Sequence, residues 1–206
     1  PDDPAIVDAV EFRNEMEWRL SWGDGKSLED RGDFDGAVTR HRTWLRERSV
    51  GGTKDDLRVA FSWAALGRCV SLAGRTEEGL QVLQEGRARA VTELGRTHEA
   101  TRWFLTEQAQ VHSRAGDHHA EVVALSELHA DEVAALGEDG RETILTLANL
   151  ALAYDSLSEP DQARRFAELA ISGAARAFGP DDPFTQRRRD ALASILPNDD
   201  DKPTPS

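Results

Sequence analysis

The chain has 206 residues, of which 39% are hydrophobic and 31% charged, the balance of a folded, helix-rich protein with enough apolar material for a core. Its formal charge of −13 opposes the counterion-releasing attraction that duplex nucleic acid requires, so direct DNA binding is excluded as a working role. No apolar run reaches the roughly 18 to 20 residues of a membrane span, no basic and apolar leader opens the chain, and the single cysteine, Cys69, makes no internal disulfide; the expectation is a cytoplasmic protein with no membrane attachment.

Apolar residues at helical spacing predict helices at about 6–31, 34–49, 56–73, 76–94, 98–115, 118–136, 140–157, 160–178 and 182–195. The turns between them repeat. Gly32, Gly74 and Gly116 are 42 residues apart, and one further step reaches Ser158 in Leu157-Ser158-Glu159-Pro160. A second column, Gly95, Gly137 and Gly179, keeps the same period, and six residues after each stands a threonine: Thr101, Thr143 and Thr185. Each period is therefore helix, turn, helix, loop, with glycine where a helix stop needs a left-handed residue.

Seven residues before each turn is a small residue (Gly25, Gly67, Ala109, Ala151), and five after it another is common (Ala37, Gly79, Ala163). Small side chains there let antiparallel helices approach, while larger ones such as Trp63, Leu66 and Val70 fill the gap. This pattern resembles the tetratricopeptide repeat. The period of 42, the Leu94-Gly95 and Leu136-Gly137 loops and the run Leu147-Ala148-Asn149-Leu150-Ala151-Leu152-Ala153-Tyr154 are similar to the kinesin light chain subclass, over about residues 56–195. The resemblance implies an all-α superhelical solenoid of antiparallel helix pairs over 1–196: an irregular first unit (1–55), regular units at about 56–97, 98–139 and 140–181, and a capping helix at 182–195. The tail 197–206 is too polar and Pro-rich to pack and is expected to be a disordered acidic segment.

Two units depart from the pattern. Gly23-Asp24-Gly25 weakens the centre of the first helix by about 1 kcal/mol per glycine and predicts a break or displacement. In the third unit Gln108, His112 and Glu121 occupy columns that are apolar or small elsewhere, consistent with a buried polar cluster or with a one-residue slip that exposes Glu121.

Catalytic and metal motifs find little support. Gly25-Lys26-Ser27 ends like a phosphate-binding loop, but Leu20 stands where that loop needs glycine. His98-Glu99-Ala100-Thr101-Arg102 lacks the second histidine of a metalloprotease helix. His112, His118, His119 and His129 fall on different helix sides with no cysteine among them, so a metalloprotein or enzyme built on that stretch is the remote alternative. Cys69, inside the apolar run 59–70, reads as a small buried residue. The expectation is no enzyme, no cofactor and no metal.

What remains is the face of each first helix opposite the packing columns. It carries Arg19, Trp22, Lys26 and Asp30, then Phe61, Ala65, Arg68 and Leu72, then Trp103, Glu107, Gln110 and Arg114, then Leu145, Asn149, Leu152 and Asp155. Aromatic residues mixed with Arg and Lys match the types that dominate binding hot spots. The implied partner is a protein or peptide, acidic with apolar anchors. Asn149 fills the Leu-x-Asn-Leu-Ala slot whose Asn, in similar proteins, bonds the backbone of a bound peptide; Gly23, Ala65 and Glu107 occupy that slot in the other units. The function expected is a peptide-binding scaffold or sensor of a bacterial regulatory or assembly system, the Arg- and Ala-rich usage fitting a GC-rich bacterial genome. The alternative is a self-association domain of a larger protein, a homo-oligomer in that case; the start at Pro1 rather than Met fits an excised fragment.

Overall fold

A computed structural model describes residues 4–49 and 57–196; the predicted tail 197–206 lies outside them. Nine helices are present among the described residues: α1 (Pro4–Asp30), α2 (Phe34–Ser49), α3 (Leu57–Leu72), α4 (Thr76–Leu94), α5 (Glu99–Ala115), α6 (His118–Leu136), α7 (Arg141–Ser156), α8 (Pro160–Phe178) and α9 (Pro183–Leu192). They fall into two compact units, Pro1–Gly95 and Arg96–Ser206. None of the described helices is long and apolar enough to cross a membrane.

The helix stops come from the repeated turn positions. Gly32, Gly74 and Gly116 have φ of 75°, 84° and 73°, and Ser158 takes the same left-handed place at 58°. The Gly–Thr column has a local reason too: Thr143 donates its hydroxyl to the Gly137 carbonyl at 2.9 Å and Thr185 does the same to Gly179 at 2.8 Å. Each bond ties a loop to the first turn of the next helix, and both threonines are fully buried. Side chains of Asp117 and Asp182 cap α6 and α9 by accepting from Ala120 N–H and Phe184 N–H.

In the N-terminal unit α1 packs on α2, α2 on α3 and α3 on α4, around Ala37, Val38, Trp44, Leu66 and Val70. The small columns act as the sequence requires. A Cβ on Gly67 would meet Leu83 Cγ at 2.5 Å, and one on Gly79 would lie 2.7 Å from the Gly67 carbonyl. Contrary to the predicted break, α1 runs unbroken through Gly23-Asp24-Gly25, because Gly25 is buried against α2: a Cβ there would stand 2.7 Å from His41 Nε2.

In the C-terminal unit α5 packs on α6, α6 on α7 and α7 on α8, and α9 closes on α8 and α7. Leu105, Leu125, Leu128 and Leu150 fill one cluster and Ile144, Ala167, Ala170, Phe184 and Leu192 the next, with Tyr154 stacked on Phe166 at 5.3 Å. Glu121 stays buried and takes its partner from its own helix, His118 Nδ1 at 2.8 Å. His112 faces Asp117 instead, at 3.8 Å. The slip that would have exposed Glu121 does not occur.

Candidate functional site

The C-terminal unit contains a groove of about 770 Å³ whose sides are α5 and α7 and whose floor is α6. Five side chains of the sequence-predicted face meet there: Trp103 and Gln110 from α5, and Leu145, Asn149 and Leu152 from α7. All but the half-buried Leu145 are exposed. They converge because residues three or four apart share one helix face, and the small Ala109 and Ala153 between them leave space above the α6 leucines. Trp103 is fixed rather than free to swing, since its indole Nε1 donates to Glu107 Oε1 at 2.9 Å. Glu107 is 2% exposed, so it acts on the groove through Trp103. Arg114 is exposed near the end of α5.

The floor holds what the face-based reading missed. Glu132 of α6 is 5% exposed and lines the groove. Thr146 donates to it, but Oε2 has no hydrogen-bond partner. Burial pushes its carboxyl above the usual carboxylate range, and Glu142 adds to this, while the Thr146 bond and the positive charge of Arg102 oppose it. Arg102, 9% exposed, lines the same part of the groove with its Nε unpartnered. The lining as a whole carries four carboxylates, on Glu99, Glu121, Glu132 and Glu142, against one guanidinium. A signal for Glu132 exists in the sequence: its counterparts in the neighbouring repeats are Ala90 and Ala174, with Arg48 in the first, and it continues the apolar spacing of Leu125, Leu128 and Leu136.

The predicted face residues of the N-terminal unit serve packing and ion pairs. Trp22 is half-buried between Trp18, with ring centroids 5.4 Å apart, and the edge of His41 at 5.9 Å. Lys26 pairs with Asp30 one turn on, and Arg19 with Glu15 at 2.6 Å. Phe61 and Leu72 are half-buried and Ala65 fully buried. Arg68 forks onto both oxygens of Glu29, at 3.0 and 3.2 Å. Burial alone would raise the Glu29 carboxyl, but His41, Arg68 and Cys69 around it hold it down at about 2.

Helix hairpins recurring every 42 residues, closed by small-residue columns and flanking a groove, define a helical-repeat scaffold. Residues 143–184 match the tetratricopeptide repeat family model. Among solved structures, a putative kinesin light chain of Podosopora anserina with nearly identical tetratricopeptide-like repeats superposes with a TM-score of 0.72 at 17% identity, over 89% of this chain and 85% of that one. BtubC (BKLC) of P. vanneervenii gives 0.70 at 14% identity, over 92% and 81%. MamA protein gives 0.50 at 16% identity, over 88% and 92%. No curated protein matches the sequence. Residues 143–184 thus resemble a tetratricopeptide repeat, and the chain as a whole shares its all-α fold with kinesin light chain-like repeats. Such repeats are a scaffold for protein–protein contact in general.

Proposed function

We propose that the protein is a peptide-binding scaffold of a bacterial regulatory or assembly system, and that the α5–α7 groove takes an extended segment of a partner protein bearing a basic side chain among apolar ones. The observation that carries this reading is Glu132, a carboxylate that folding has desolvated and left with one oxygen unpartnered at the floor of an apolar groove. A lysine or arginine head group laid on Glu132 supplies the missing donors and offsets the desolvation of its charge. Leu145, Leu152 and Trp103 offer apolar anchor sites on either side, and in this reading the exposed amide of Asn149 bonds the partner's backbone. The acidic ligand implied by the basic residues of the sequence face is not favoured by this groove: Arg68 is committed to Glu29 and Lys26 to Asp30, and carboxylates outnumber the one guanidinium among the charged lining residues.

Fluorescence anisotropy tests the charge preference with one labelled apolar peptide carrying a central lysine and its counterpart carrying glutamate. The lysine peptide is expected to bind about tenfold more tightly, a difference of about 1.4 kcal/mol, and Glu132→Gln is expected to abolish the preference. Equal or tighter binding of the glutamate peptide would sink the assignment.

A further inference from the structure

In the N-terminal unit three helices bring together a second set of side chains that the groove does not involve. Glu29 of α1, His41 of α2 and Cys69 of α3 place one ligand-type atom each within 4.8 Å of one another, and among the described residues this is the one such group of three or more. Cys69 Sγ lies 3.2 Å from Glu29 Oε1. His41 is 3% exposed, and its Nε2 points at the same oxygen from 3.9 Å, beyond hydrogen-bond reach, with no other partner. A buried imidazole nitrogen left in this way is costly unless something satisfies it.

The repeat makes His41 conspicuous. Its 42-residue counterparts are Leu83, Leu125 and Ala167, and Cys69 corresponds to Ser27, Val111 and Ala153. Leu83 sits on Gly67 as His41 sits on Gly25, so leucine fits this pocket, yet the first unit has histidine. A position that is apolar in every other repeat has thus acquired an imidazole, beside a thiol and facing a carboxylate. That carboxylate is gripped by the Arg68 fork, the kind of outer support that orients a ligating carboxylate.

We propose that Glu29, His41 and Cys69 form a buried binding site for a divalent cation of the zinc class. The thiolate, imidazole and carboxylate are the donor types this cation takes, and ligand atoms about 2.0 to 2.3 Å from a tetrahedral ion stand about 3.3 to 3.8 Å from one another, close to the 3.2 and 3.9 Å separations seen here and within the 4.8 Å span of the group. Binding releases the Cys69 thiol proton to solvent and forms bonds from Sγ, Nε2 and Oε1, with the remaining tetrahedral position left to a solvent oxygen. The two negative charges of the thiolate and Glu29 outweigh the single positive charge of Arg68. Since the ligands come from three successive helices, the ion would pin α1, the helix with glycines at its middle, to α2 and α3.

Cobalt titration of the full chain, purified with chelator and then freed of it, tests the site. Wild type is expected to take one cobalt per chain with the visible bands of a tetrahedral cobalt thiolate, and excess zinc is expected to erase them. Cys69→Ser should remove the sulfur-to-metal charge-transfer band. His41→Leu restores the repeat's own residue and should fold at least as well without metal, while its affinity falls by more than about 100-fold. Absence of a thiolate band in wild type, or unchanged affinity in folded His41→Leu, would overturn the proposal and leave the three side chains as a packing network.

Discussion

Glu29 and Glu132 are both carboxylates taken out of water by helix packing, yet their surroundings drive them in opposite directions. Glu29 in the N-terminal unit is forked by Arg68 and approached by Cys69, and its carboxyl is held at about 2. Glu132 in the C-terminal unit has the Thr146 hydroxyl and an empty second oxygen, and its carboxyl is pushed up by burial. The scaffold around them is the same kind of helix hairpin, so the contrast comes from which neighbours each repeat supplies. A buried charge with its donors at hand reads as internal structure. One without them reads as an interface waiting for donors from elsewhere.

The sharpest way to break that contrast is to make the same isosteric change at both positions. Glu29→Gln, measured in chelator, should cost about 2 to 3 kcal/mol in denaturant unfolding, because Arg68 stays mostly buried beside a neutral amide. Glu132→Gln should do the reverse and stabilise by about 1 kcal/mol, since the amide keeps an acceptor for Thr146 and sheds the desolvated charge. Losses of similar size at both positions would remove the basis for treating Glu132 as a ligand group.

Acidity sharpens the same point. A carboxyl whose folded pKa is raised contributes stability that is present in full below its unfolded value, near 4.5, and is lost as pH rises through the folded value. The stability gap between Glu132→Gln and wild type should therefore be largest near neutral pH and close as pH falls toward 4.5, as followed by Tm. A gap that widens on acidification would contradict the raised pKa. The smallest effect is a turn: Ser158 holds φ of 58° where three other repeats use glycine, and Ser158→Gly should raise stability by about 0.5 kcal/mol in thermal melts.

The helices were legible because their punctuation is periodic: every predicted helix is present with ends shifted by no more than three residues, and the left-handed turns fall on the predicted column. Trp103, Gln110, Asn149 and Leu152 were legible as neighbours because they lie on one face of α5 or α7. Glu132 and His41 were not found by that route, since each belongs to a second helix and a packing column rather than to an exposed face. Both are nonetheless visible as departures from the period, Glu132 between the alanines of the adjacent repeats and His41 among leucines and an alanine. Reading columns for their exceptions, rather than faces for their charges, locates the floor of the groove and the Glu29–His41–Cys69 cluster. The continuity of α1 was hidden for a different reason: helix propensity counts the glycines against it, and only the packed His41 ring shows why Gly25 is tolerated there.

The hydroxyl bonds from Thr143 to Gly137 and from Thr185 to Gly179 bear on how such a chain can change length. Each lock is closed by residues six apart, without help from a distant helix. A tandem duplication of one 42-residue period would therefore arrive with its joint already made, and a recombination event out of phase with that period would separate a threonine from its carbonyl and leave a buried hydroxyl stranded. Two joints of this chain are set by that bond, whereas the third threonine of the column, Thr101, is buried with its hydroxyl unpartnered.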